Sequence, residues 1–535
     1  MSVPIIDLFA GPGGLGEGFS QVGWKEGYPF FRIGLSVESD FAAYRTLKLR
    51  SFFRKFPFGE APLEYYEFLR KGRAPEDLYK LKKYAEQVDA ASREAWCAEL
   101  GSGAEFDELL DRKIEQILQD NPNWVLIGGP PCQAYSIVGR SRNKGVKNYI
   151  PEEDDRHFLY QEYLRIIAQH KPAIFVMENV KGILSSKVNG NKIFERILSD
   201  LKNPLGMPGC KYRIFSLIKE PQSFASDGNP EFKKEDFIIE SEKYGIPQAR
   251  HRVILLGVRE NFCRYDIIPG VLKEKEVISS YKVLGLPRLR SGISRGKYDE
   301  NDWKRAVLSF PIDKVRKEVG RIANGRVLEA IWRALQSISL PREGMGAEFV
   351  SKVPNNIPDE ILANWFEDSR LEGIFNYSAR THMVTDLHRY LYAACFAKEM
   401  FRSPKLHEFP DVLKPDHKNR DTGHFDDRFR VQLSGRPSCT ITSHISKDGH
   451  YYIHFDPTQC RSLTVREAAR LQTFPDNYYF CGNRTEQYVQ VGNAVPPFLA
   501  FQIAMIVKNL LLTAIDRISE QRNEVCLGEA FCRAS

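Results

Sequence analysis

The chain has 535 residues, 42% of them hydrophobic and 12% aromatic, so it is long enough for more than one folded domain. Its net charge of +7 and pI near 8.7 are mildly favourable to a polyanionic partner such as nucleic acid. The ten cysteines form no CxxC pair, and the sequence has neither a basic-then-apolar leader nor an apolar run of membrane length. These absences argue against a zinc site, a disulfide framework and a membrane protein, and they predict a cytoplasmic location.

The N-terminal segment has the pattern of a nucleotide-binding loop. Val3 to Phe9 predicts a buried strand, four glycines follow between Gly11 and Gly16, and a helix begins there. A glycine turn between a strand and a helix lets a ligand approach free backbone N–H groups. The next predicted strand, Phe31 to Val37, leads to Glu38, whose carboxylate can accept hydrogen bonds from ribose hydroxyls. The indicated ligand is NAD or another adenosine compound, and the alternative for Glu38 is a solvated loop acid.

The stretch between Arg50 and Trp124 is longer than a minimal α/β core requires. It is rich in charged and aromatic residues, and the apolar spacing from Glu105 to Leu118 predicts a helix. We interpret residues of about 50–120 as an insertion.

The tetrapeptide Pro130-Pro131-Cys132-Gln133 follows a predicted buried strand, Trp124 to Gly129. A cysteine at a strand end lies at the edge of an α/β sheet, where ligands bind, and the prolines restrict its backbone. That placement suits a nucleophile, although a lone cysteine is more often a small core residue. The basic, glycine-flanked stretch that follows, residues 136–148, predicts a loop that closes over a phosphate backbone; the alternative is an ordinary solvated loop.

Two further segments bring charged side chains to strand ends. Pro172 to Met177 predicts a strand that ends at Glu178, a candidate acid. In Gln248-Ala-Arg250-His-Arg252 the alternating positions share one face of an extended segment, so both arginines can point at one carbonyl or phosphate. Taken alone, each segment is also compatible with a structural ion pair or an exposed basic edge.

The second half of the chain has a different pattern. Helices are predicted around Arg326–Ser337 and Asp386–Met400, and a basic, β-prone stretch follows from about residue 428 to 454. Its three histidines, at 444, 450 and 454, have no cysteine or carboxylate at ligand spacing, so alternating strand faces are favoured over a metal site. Phe498 to Leu512 predicts a helix that packs on the first domain.

Taken in order, these segments resemble the DNA cytosine-5 methyltransferase family of bacterial or phage type. Six of them match the motifs of that family, between Asp7 and Pro497: Asp7-Leu-Phe-Ala-Gly-Pro-Gly-Gly-Leu15, Gly129-Pro-Pro-Cys-Gln133, Glu178-Asn-Val180, Gln248-Ala-Arg-His-Arg252, Arg461-Ser-Leu-Thr-Val-Arg-Glu-Ala-Ala-Arg-Leu-Gln-Thr-Phe-Pro-Asp476 and Gln490-Val-Gly-Asn-Ala-Val-Pro-Pro497. The resemblance implies an α/β fold, with a Rossmann-like S-adenosylmethionine-dependent methyltransferase domain and a smaller, mixed target-recognition domain. The expected limits are residues 1–262 for the catalytic domain, 263–480 for recognition and the scaffold segment, and 481–535 for a segment that returns to the first domain.

The resemblance also implies the chemistry. Cys132 is the expected nucleophile toward cytosine C6, Glu178 the acid at N3, and Arg252 the ligand of O2, with Arg250 in support. S-adenosylmethionine is the expected cofactor, with S-adenosylhomocysteine as product and without a metal. Its expected binding residues are Phe9, Ala10, Gly11, Gly14, Leu15, Glu38, Asn493 and Val495. The family also places an acid on the adenine, for which Glu99, Glu105 and Asp107 are candidates.

Double-stranded DNA is the expected partner, with the target base flipped out of the helix. The residues expected to contact DNA are Gln133, Ser136, Arg140, Arg142, Arg428, Arg430, Arg436, Thr440 and Thr442. The resemblance further suggests a monomer on DNA and a cognate restriction endonuclease or defence-system partner. Three alternatives stay open: an RNA cytosine-5 methyltransferase, an NAD-dependent oxidoreductase, and a non-enzymatic DNA-binding protein of the same fold.

Overall fold

A computed structural model describes residues 2–72, 75–131, 158–188, 191–260, 267–294, 299–322, 325–351, 357–416 and 426–534. Its centre is a sheet of eight strands: β1 (Val3–Leu8), β2 (Phe31–Glu38), β3 (Ala95–Cys97), β4 (Val125–Gly128), β5 (Ile174–Val180), β8 (Tyr212–Phe215), β9 (Ile238–Glu240) and β11 (His251–Arg259). Their order in the sheet is β3-β2-β1-β4-β5-β11-β8, and β9 also pairs with β11. The order 3-2-1-4-5 is that of a doubly wound, Rossmann-like fold, as the sequence predicts.

Strands β1 to β5 run parallel, whereas β11 is antiparallel to β5, β8 and β9. Their near-continuous apolar runs are explained by burial on both faces. Alternate side chains enter two separate hydrophobic clusters, so that Ile5 lies in one and Ile6 in the other. Helices cover both faces, which is why few polar residues are found in these strands.

The register of the parallel strands places four chain segments at one edge of the sheet. Leu8 lies opposite Val37 in β2 and Gly128 in β4, and Gly128 lies opposite Met177 in β5. The residues that follow each of these positions therefore emerge side by side. This edge is where an open α/β sheet binds its ligands.

The first half contains the helices α1 (Gly14–Ser20), α2 (Phe41–Phe53), α3 (Leu63–Arg70), α4 (Pro75–Tyr79), α5 (Ala85–Glu94), α6 (Ala104–Leu118), α7 (Phe158–His170) and α8 (Ile193–Lys202). The second half contains α9 (Glu300–Leu308), α10 (Ile312–Ile322), α11 (Gly325–Gln336), α12 (Glu360–Phe366), α13 (Val384–Met400), α14 (Val465–Leu471), α15 (Arg484–Asn493) and α16 (Pro497–Ala534). The three predicted helices near residues 105–118, 326–337 and 386–400 are confirmed as α6, α11 and α13. In α6 the buried residues Leu110, Ile114 and Leu118 recur at the four-residue spacing from which the helix was predicted.

Short two-stranded sheets complete the chain: β6 (Lys187–Val188) with β7 (Asn191–Lys192), β10 (Gln248–Ala249) with β16 (Ser438–Cys439), β12 (Gly292–Ile293) with β15 (Thr381–His382), and β13 (Gly346–Ser351) with β14 (Gly373–Ser378). Single 3₁₀ turns lie at Lys82–Tyr84, Lys181–Ser185, Pro204–Gly206, Lys234–Phe237, Ser241–Tyr244, Ser280–Lys282, Leu406–Glu408, Asp411–Leu413, Ser443–Ser446 and Gly449–Tyr452.

The prediction of strands for the stretch 428–454 is wrong for most of its length. Only Ser438–Cys439 forms a strand, and the remaining ladder contacts are isolated bridges of Ile453 with Val431 and Ser462. His444 and His450 lie in 3₁₀ turns rather than on strand faces. Long-range hydrogen bonds hold this stretch, for example from Arg430 N to His450 O at 2.8 Å, so its local alternation of residue types was misleading.

The hydrophobic side chains of the second half are shared between two cores. Helices α9, α10, α11 and α13 pack around Trp303 and Tyr390 in a cluster of their own. By contrast, Val283, Ile441 and Leu463 belong to the cluster that includes β1 and α1. The chain therefore leaves the core of the first half and returns to it before residue 480.

The predicted C-terminal helix is present as α16 and packs against α1. The stretch Arg484–Arg517 is long and apolar enough to cross a membrane by length and composition, with a mean hydropathy of 1.9 in its most apolar window. Of that window 56% is buried, and Ile503, Val507 and Leu511 lie in the same core as β1. No apolar run of membrane length was expected from the sequence, but this stretch meets that criterion. Its burial in the core explains its apolar composition.

Candidate active site

The glycine loop connects β1 to α1 at the ligand-binding edge of the sheet. Gly13 has φ 93°, and a Cβ there would lie 2.9 Å from the Tyr478 hydroxyl. At Gly14 a Cβ would lie 2.2 Å from the carbonyl oxygen of Val495. Gly11 instead faces open space. The loop is therefore closely packed on its inner side and open on the side that faces the sheet edge.

Glu38 closes this loop from the neighbouring strand. Its Oε2 accepts a hydrogen bond from Gly11 N at 2.7 Å, and its Oε1 accepts one from Asp40 N at 2.8 Å. Burial raises the pKa of Glu38, although these two N–H groups act in the opposite direction. The carboxylate is thus fixed at the loop, with lone pairs left for a ligand's hydroxyl groups.

A cavity of about 380 Å³ lies between the glycine loop, the ends of β2, β4 and β5, and the turn after α15. All eight residues predicted to bind the cofactor line it: Phe9, Ala10, Gly11, Gly14, Leu15, Glu38, Asn493 and Val495. Among the three candidates for the adenine acid, Glu99 lines the cavity. Asp107 is not among the lining residues, and its Oδ1 lies 3.7 Å from Arg165 Nη2. The size falls in the usual range for small ligands, roughly 300–1,000 Å³.

The residues of this cavity fit the adenosine part of S-adenosylmethionine. Glu38 provides a fixed acceptor for ribose hydroxyls, and the open face at Gly11 leaves room beside it. Asp40 and Glu99 add carboxylates near the same wall, although sequence reasoning had not singled out Asp40. Asp40 could have been identified from the sequence, because it follows Glu38 by two residues at the start of α2.

Glu178 lines this cavity and forms an ion pair with Arg252. Arg252 Nε lies 2.9 Å from Glu178 Oε1, and the side chains are 15% and 13% exposed. The antiparallel register of β5 and β11 explains the pair, because Arg252 lies opposite Val180 and Glu178 is its diagonal neighbour on the same face. The sequence pattern predicted that β5 ends at Glu178. The strand instead continues to Val180, and Glu178 still lines the cavity.

The segment that precedes the predicted nucleophile touches this acid. A Cβ on Gly129 would lie 3.1 Å from Glu178 Oε2, and Asn179 Nδ2 donates to Pro130 O at 3.3 Å. Pro131 lines the cavity. The predicted nucleophile and basic loop lie outside the described residues, namely Cys132, Gln133, Ser136, Arg140 and Arg142.

Arg250 and Gln248 are buried. Arg250 Nη1 donates to Ile441 O at 2.7 Å, and Gln248 Nε2 donates to Gln472 Oε1 at 2.9 Å. Neither they nor Arg252 line the cavity, but Arg252 pairs with Glu178, which does. Arg250 instead joins the end of β10 to the returning C-terminal segment, where its Nη1 also lies 3.3 Å from Gly492 O.

The predicted DNA contacts of the second half differ in their surroundings. Thr440 Oγ1 donates to Ala249 O at 2.6 Å, and the Thr442 hydroxyl lies 2.9 Å from the Tyr452 hydroxyl, so both have internal partners. Arg428 lies 3.5 Å from Asp448, and Arg430 pairs with Asp427. The side chain of Arg436 is exposed in the turn before β16.

The three histidines do not gather around a common point. His454 is buried, and burial together with Arg461 lowers its pKa to about 4. His450 Nδ1 instead lies 2.8 Å from the Tyr390 hydroxyl. Within the described part of the chain, no group of three or more His, Cys, Asp or Glu side chains is placed to hold a metal ion.

Sequence reasoning missed Tyr478, whose hydroxyl donates a hydrogen bond to Pro12 O in the glycine loop. The contact joins positions 466 residues apart, so no local pattern announces it. The only available signal was its position directly after the Arg461–Asp476 segment.

Comparisons with known proteins identify the family of this chain. The family model for "C-5 cytosine-specific DNA methylase" matches residues 103–285 and 367–509, more than half of the chain. The type II methyltransferase M.Bpa9945I of Bacillus paralicheniformis is 32% identical over 530 residues, which are 95% of this chain and 99% of the relative. The DNA (cytosine-5-)-methyltransferase M.ApeKI of Aeropyrum pernix is 26% identical over 430 residues, covering 72% of this chain and 81% of the relative.

Among solved structures, the Entamoeba histolytica methyltransferase EhMeth is 14% identical, with a TM-score of 0.41 over 95% of this chain and 98% of that chain. The family match includes Glu178 and Arg252 in its first segment and Asn493 and Val495 in its second, and the first relative covers 95% of the chain. The chain belongs to the family of C-5 cytosine-specific DNA methylases and is an enzyme of that type.

Proposed function

We propose that this enzyme transfers a methyl group from S-adenosylmethionine to C5 of a flipped-out cytosine in a specific duplex DNA sequence, through a Cys132–C6 adduct. The observation that carries the proposal is the Arg252–Glu178 pair, 2.9 Å apart, with Glu178 on the wall of the cavity. Pro131, on the same wall, directly precedes Cys132. This arrangement supports a site in which Cys132, Glu178 and Arg252 act together beside the methyl donor.

The proposed steps follow from the chemistry of these side chains. The Cys132 thiolate adds to C6 and forms a C–S bond, while protonated Glu178 donates to N3 and neutralises the charge that develops on the ring. Arg252 donates to the cytosine O2 and holds the Glu178 carboxylate in place. When bound, S-adenosylmethionine supplies an electrophilic methyl group for C5. Loss of the C5 proton to a base or water then allows the sulfur to leave C6.

The target base must leave the duplex for this reaction, at a cost of a few kcal/mol. We assign sequence recognition to the second half of the chain, whose helical cluster around Trp303 is separate from the catalytic core. The limits 1–262, 263–480 and 481–535 are kept as the proposed division. A monomer on DNA, a cognate restriction endonuclease or defence-system partner, and a cytoplasmic, nucleoid-associated location belong to the same proposal.

One assay tests the proposed activity against its alternatives. The protein is incubated with S-adenosylmethionine carrying a labelled methyl group and with duplex DNA, RNA or neither. Label in 5-methylcytosine of DNA is expected, and mapping of the modified position gives the target sequence. Label in RNA alone would support the RNA enzyme. DNA binding without label would support a non-enzymatic protein of this fold.

The Glu38→Gln substitution is expected to weaken S-adenosylmethionine binding by about 10- to 100-fold. The reason is that hydrogen bonds to a charged acceptor contribute about 1.5–3 kcal/mol, and this carboxylate also orders Gly11. Isothermal titration with S-adenosylhomocysteine measures the change without turnover. Glu86→Gln, at an exposed position of α5, is the matched control. An unchanged dissociation constant would identify Glu38 as a loop acid without a ligand.

The Arg436→Gln substitution is expected to weaken DNA binding without a change in cofactor affinity. Arg436 is exposed, and its carbonyl accepts a hydrogen bond from Ser280 N at 2.8 Å, so its backbone is fixed beside the β10–β16 pair. Loss of a base contact costs about 1–3 kcal/mol and relaxes specificity at one position. Loss of a phosphate contact weakens all sequences alike and lowers the salt dependence.

Binding to target and non-target duplexes across a salt series distinguishes these two outcomes. Arg196→Gln is the control, because Arg196 is exposed on α8, outside the proposed recognition half, and pairs within that helix with Asp200. DNA affinity equal to that of the wild type at every salt concentration would remove Arg436 from the proposed interface.

A further inference from the structure

Residues Asn477 and Tyr478 follow the scaffold helix α14 and contact both halves of the chain. The Tyr478 hydroxyl donates to Pro12 O in the glycine loop. The Asn477 amide is used at both ends: its Oδ1 accepts from Arg50 Nη1 at 2.9 Å, and its Nδ2 donates to Asp368 Oδ2 at 3.0 Å. One short segment therefore connects the cofactor loop, helix α2 and the second half.

Through Arg50, Asn477 is connected to α1, the helix that follows the glycine loop. Arg50 Nε lies 2.9 Å from Glu17 Oε2, and Glu17 is a fully buried residue of α1. The Arg50 guanidinium also lies 4.9 Å from the centre of the Tyr478 ring. Two buried side chains, Arg50 and Glu17, therefore link Asn477 to α1, which begins directly after the glycine loop.

Asp368, the other partner of Asn477, is hydrogen-bonded to the insertion. The Tyr66 hydroxyl of α3 donates to Asp368 Oδ2 at 2.8 Å, the same oxygen that Asn477 contacts. Next to it, Arg70 Nη2 donates to Arg370 O at 2.8 Å, and Arg370 Nη1 donates to Gly59 O at 2.6 Å. The insertion is therefore hydrogen-bonded to the segment that leads into β14.

Packing is incomplete around these hydrogen bonds. A cavity of about 1110 Å³ is bordered by Phe53, Phe349, Asp368 and Asn477. Close packing transmits displacements through a protein interior, and Tyr66 and Leu371 share one hydrophobic cluster beside this cavity. Among the polar contacts at its border, those of Asp368 and Asn477 continue to α1 through Arg50.

We propose that Asp368 and Asn477 are positioning residues that couple the DNA-binding half of the enzyme to the cofactor loop. The inference rests on the proposed recognition role of the second half. In the free protein, thermal motion of that half disturbs Asn477 and with it α1. DNA that fixes the second half also fixes the loop, so cofactor affinity rises. Such coupling is reciprocal, so the cofactor strengthens DNA binding by the same factor.

The test is a thermodynamic cycle on the full-length protein. The dissociation constant of S-adenosylhomocysteine is measured with and without a saturating duplex that carries the mapped target site. The wild type is expected to bind the cofactor product more tightly in the presence of DNA, within the usual range of about 5- to 150-fold for coupled sites. Asn477→Ala and Asp368→Ala are expected to reduce this ratio toward one.

Two milder substitutions keep the test informative if the alanine variants do not fold. Tyr66→Phe removes only the hydroxyl that anchors Asp368 and is expected to reduce the ratio partly. Asp368→Asn keeps one carbonyl acceptor and is expected to retain more of the ratio than Asp368→Ala. The control is Glu367→Ala, because Glu367 is the exposed neighbour of Asp368 and borders the same cavity.

The outcomes separate this inference from the proposed function. A folded Asn477→Ala or Tyr66→Phe protein with the wild-type ratio overturns the coupling role, as does a wild-type ratio of one. Equal loss of affinity with and without DNA, at an unchanged ratio, identifies these residues as purely structural and also overturns it. A wild type that binds no duplex DNA would overturn the proposed function itself.

Discussion

The Cys132→Ser enzyme is expected to transfer no measurable methyl group to DNA while it still binds the cofactor. The attacking species is a thiolate, and a serine hydroxyl at neutral pH has no comparable ionised fraction. Cofactor binding should persist, because the glycine loop, Glu38 and the turn after α15 line the cavity independently of this side chain. Methyl incorporation into the mapped target duplex measures the loss, and titration with S-adenosylhomocysteine measures binding.

A second assay examines the covalent step directly. Target DNA with 5-fluorocytosine should give a denaturation-resistant complex with the wild type and none with Cys132→Ser, because fluorine at C5 cannot leave as a proton does. Cys97→Ser is the matched control, since Cys97 is an exposed free thiol at the end of β3, directly before the cavity-lining residues Ala98 and Glu99. Methylation by Cys132→Ser at a near-native rate would refute the mechanism.

The first half of the site could be predicted because its residues follow buried parallel strands. Apolar runs identify such strands locally, and their register brings the following residues to one edge. Phe9, Glu38 and Gly129 lie there for that reason, and each lines the cavity. Glu178 was identified although its place within β5 was not, because the strand continues past it to pair with β11.

The second half resisted prediction because its geometry depends on distant partners. Alternating residues near Arg430 suggested strands, yet the chain there is held by a hydrogen bond to His450 and a bridge from Val431 to Ile453. Thr440 looked like a groove-reading residue, but its hydroxyl is bound to Ala249 O. Periodicity in a sequence reports which face is buried and does not report a partner that is remote along the chain.

The Glu178→Gln enzyme is expected to lose about 10²- to 10⁴-fold in turnover, the usual range for removal of a general acid. Glutamine keeps the shape of the side chain and an acceptor for Arg252, whose Nε now lies 2.9 Å from the carboxylate. It cannot transfer a proton to cytosine N3, so charge on the ring is no longer neutralised as the C6–S bond forms. Single-turnover methylation under saturating cofactor and DNA isolates this step from binding.

The competing view is that Glu178 only neutralises Arg252 within the sheet, and stability measurements distinguish the two roles. An acid should lose activity with little change in melting temperature or in S-adenosylhomocysteine affinity, whereas a structural partner should lose stability in step with activity. Glu242→Gln is the matched control, because Glu242 makes a similar 2.8 Å contact with His251 at the start of β11 but is not among the residues lining the cavity. Equal losses of turnover in both variants would assign Glu178 to the sheet, since a protonating role predicts a large effect at Glu178 and a small one at Glu242.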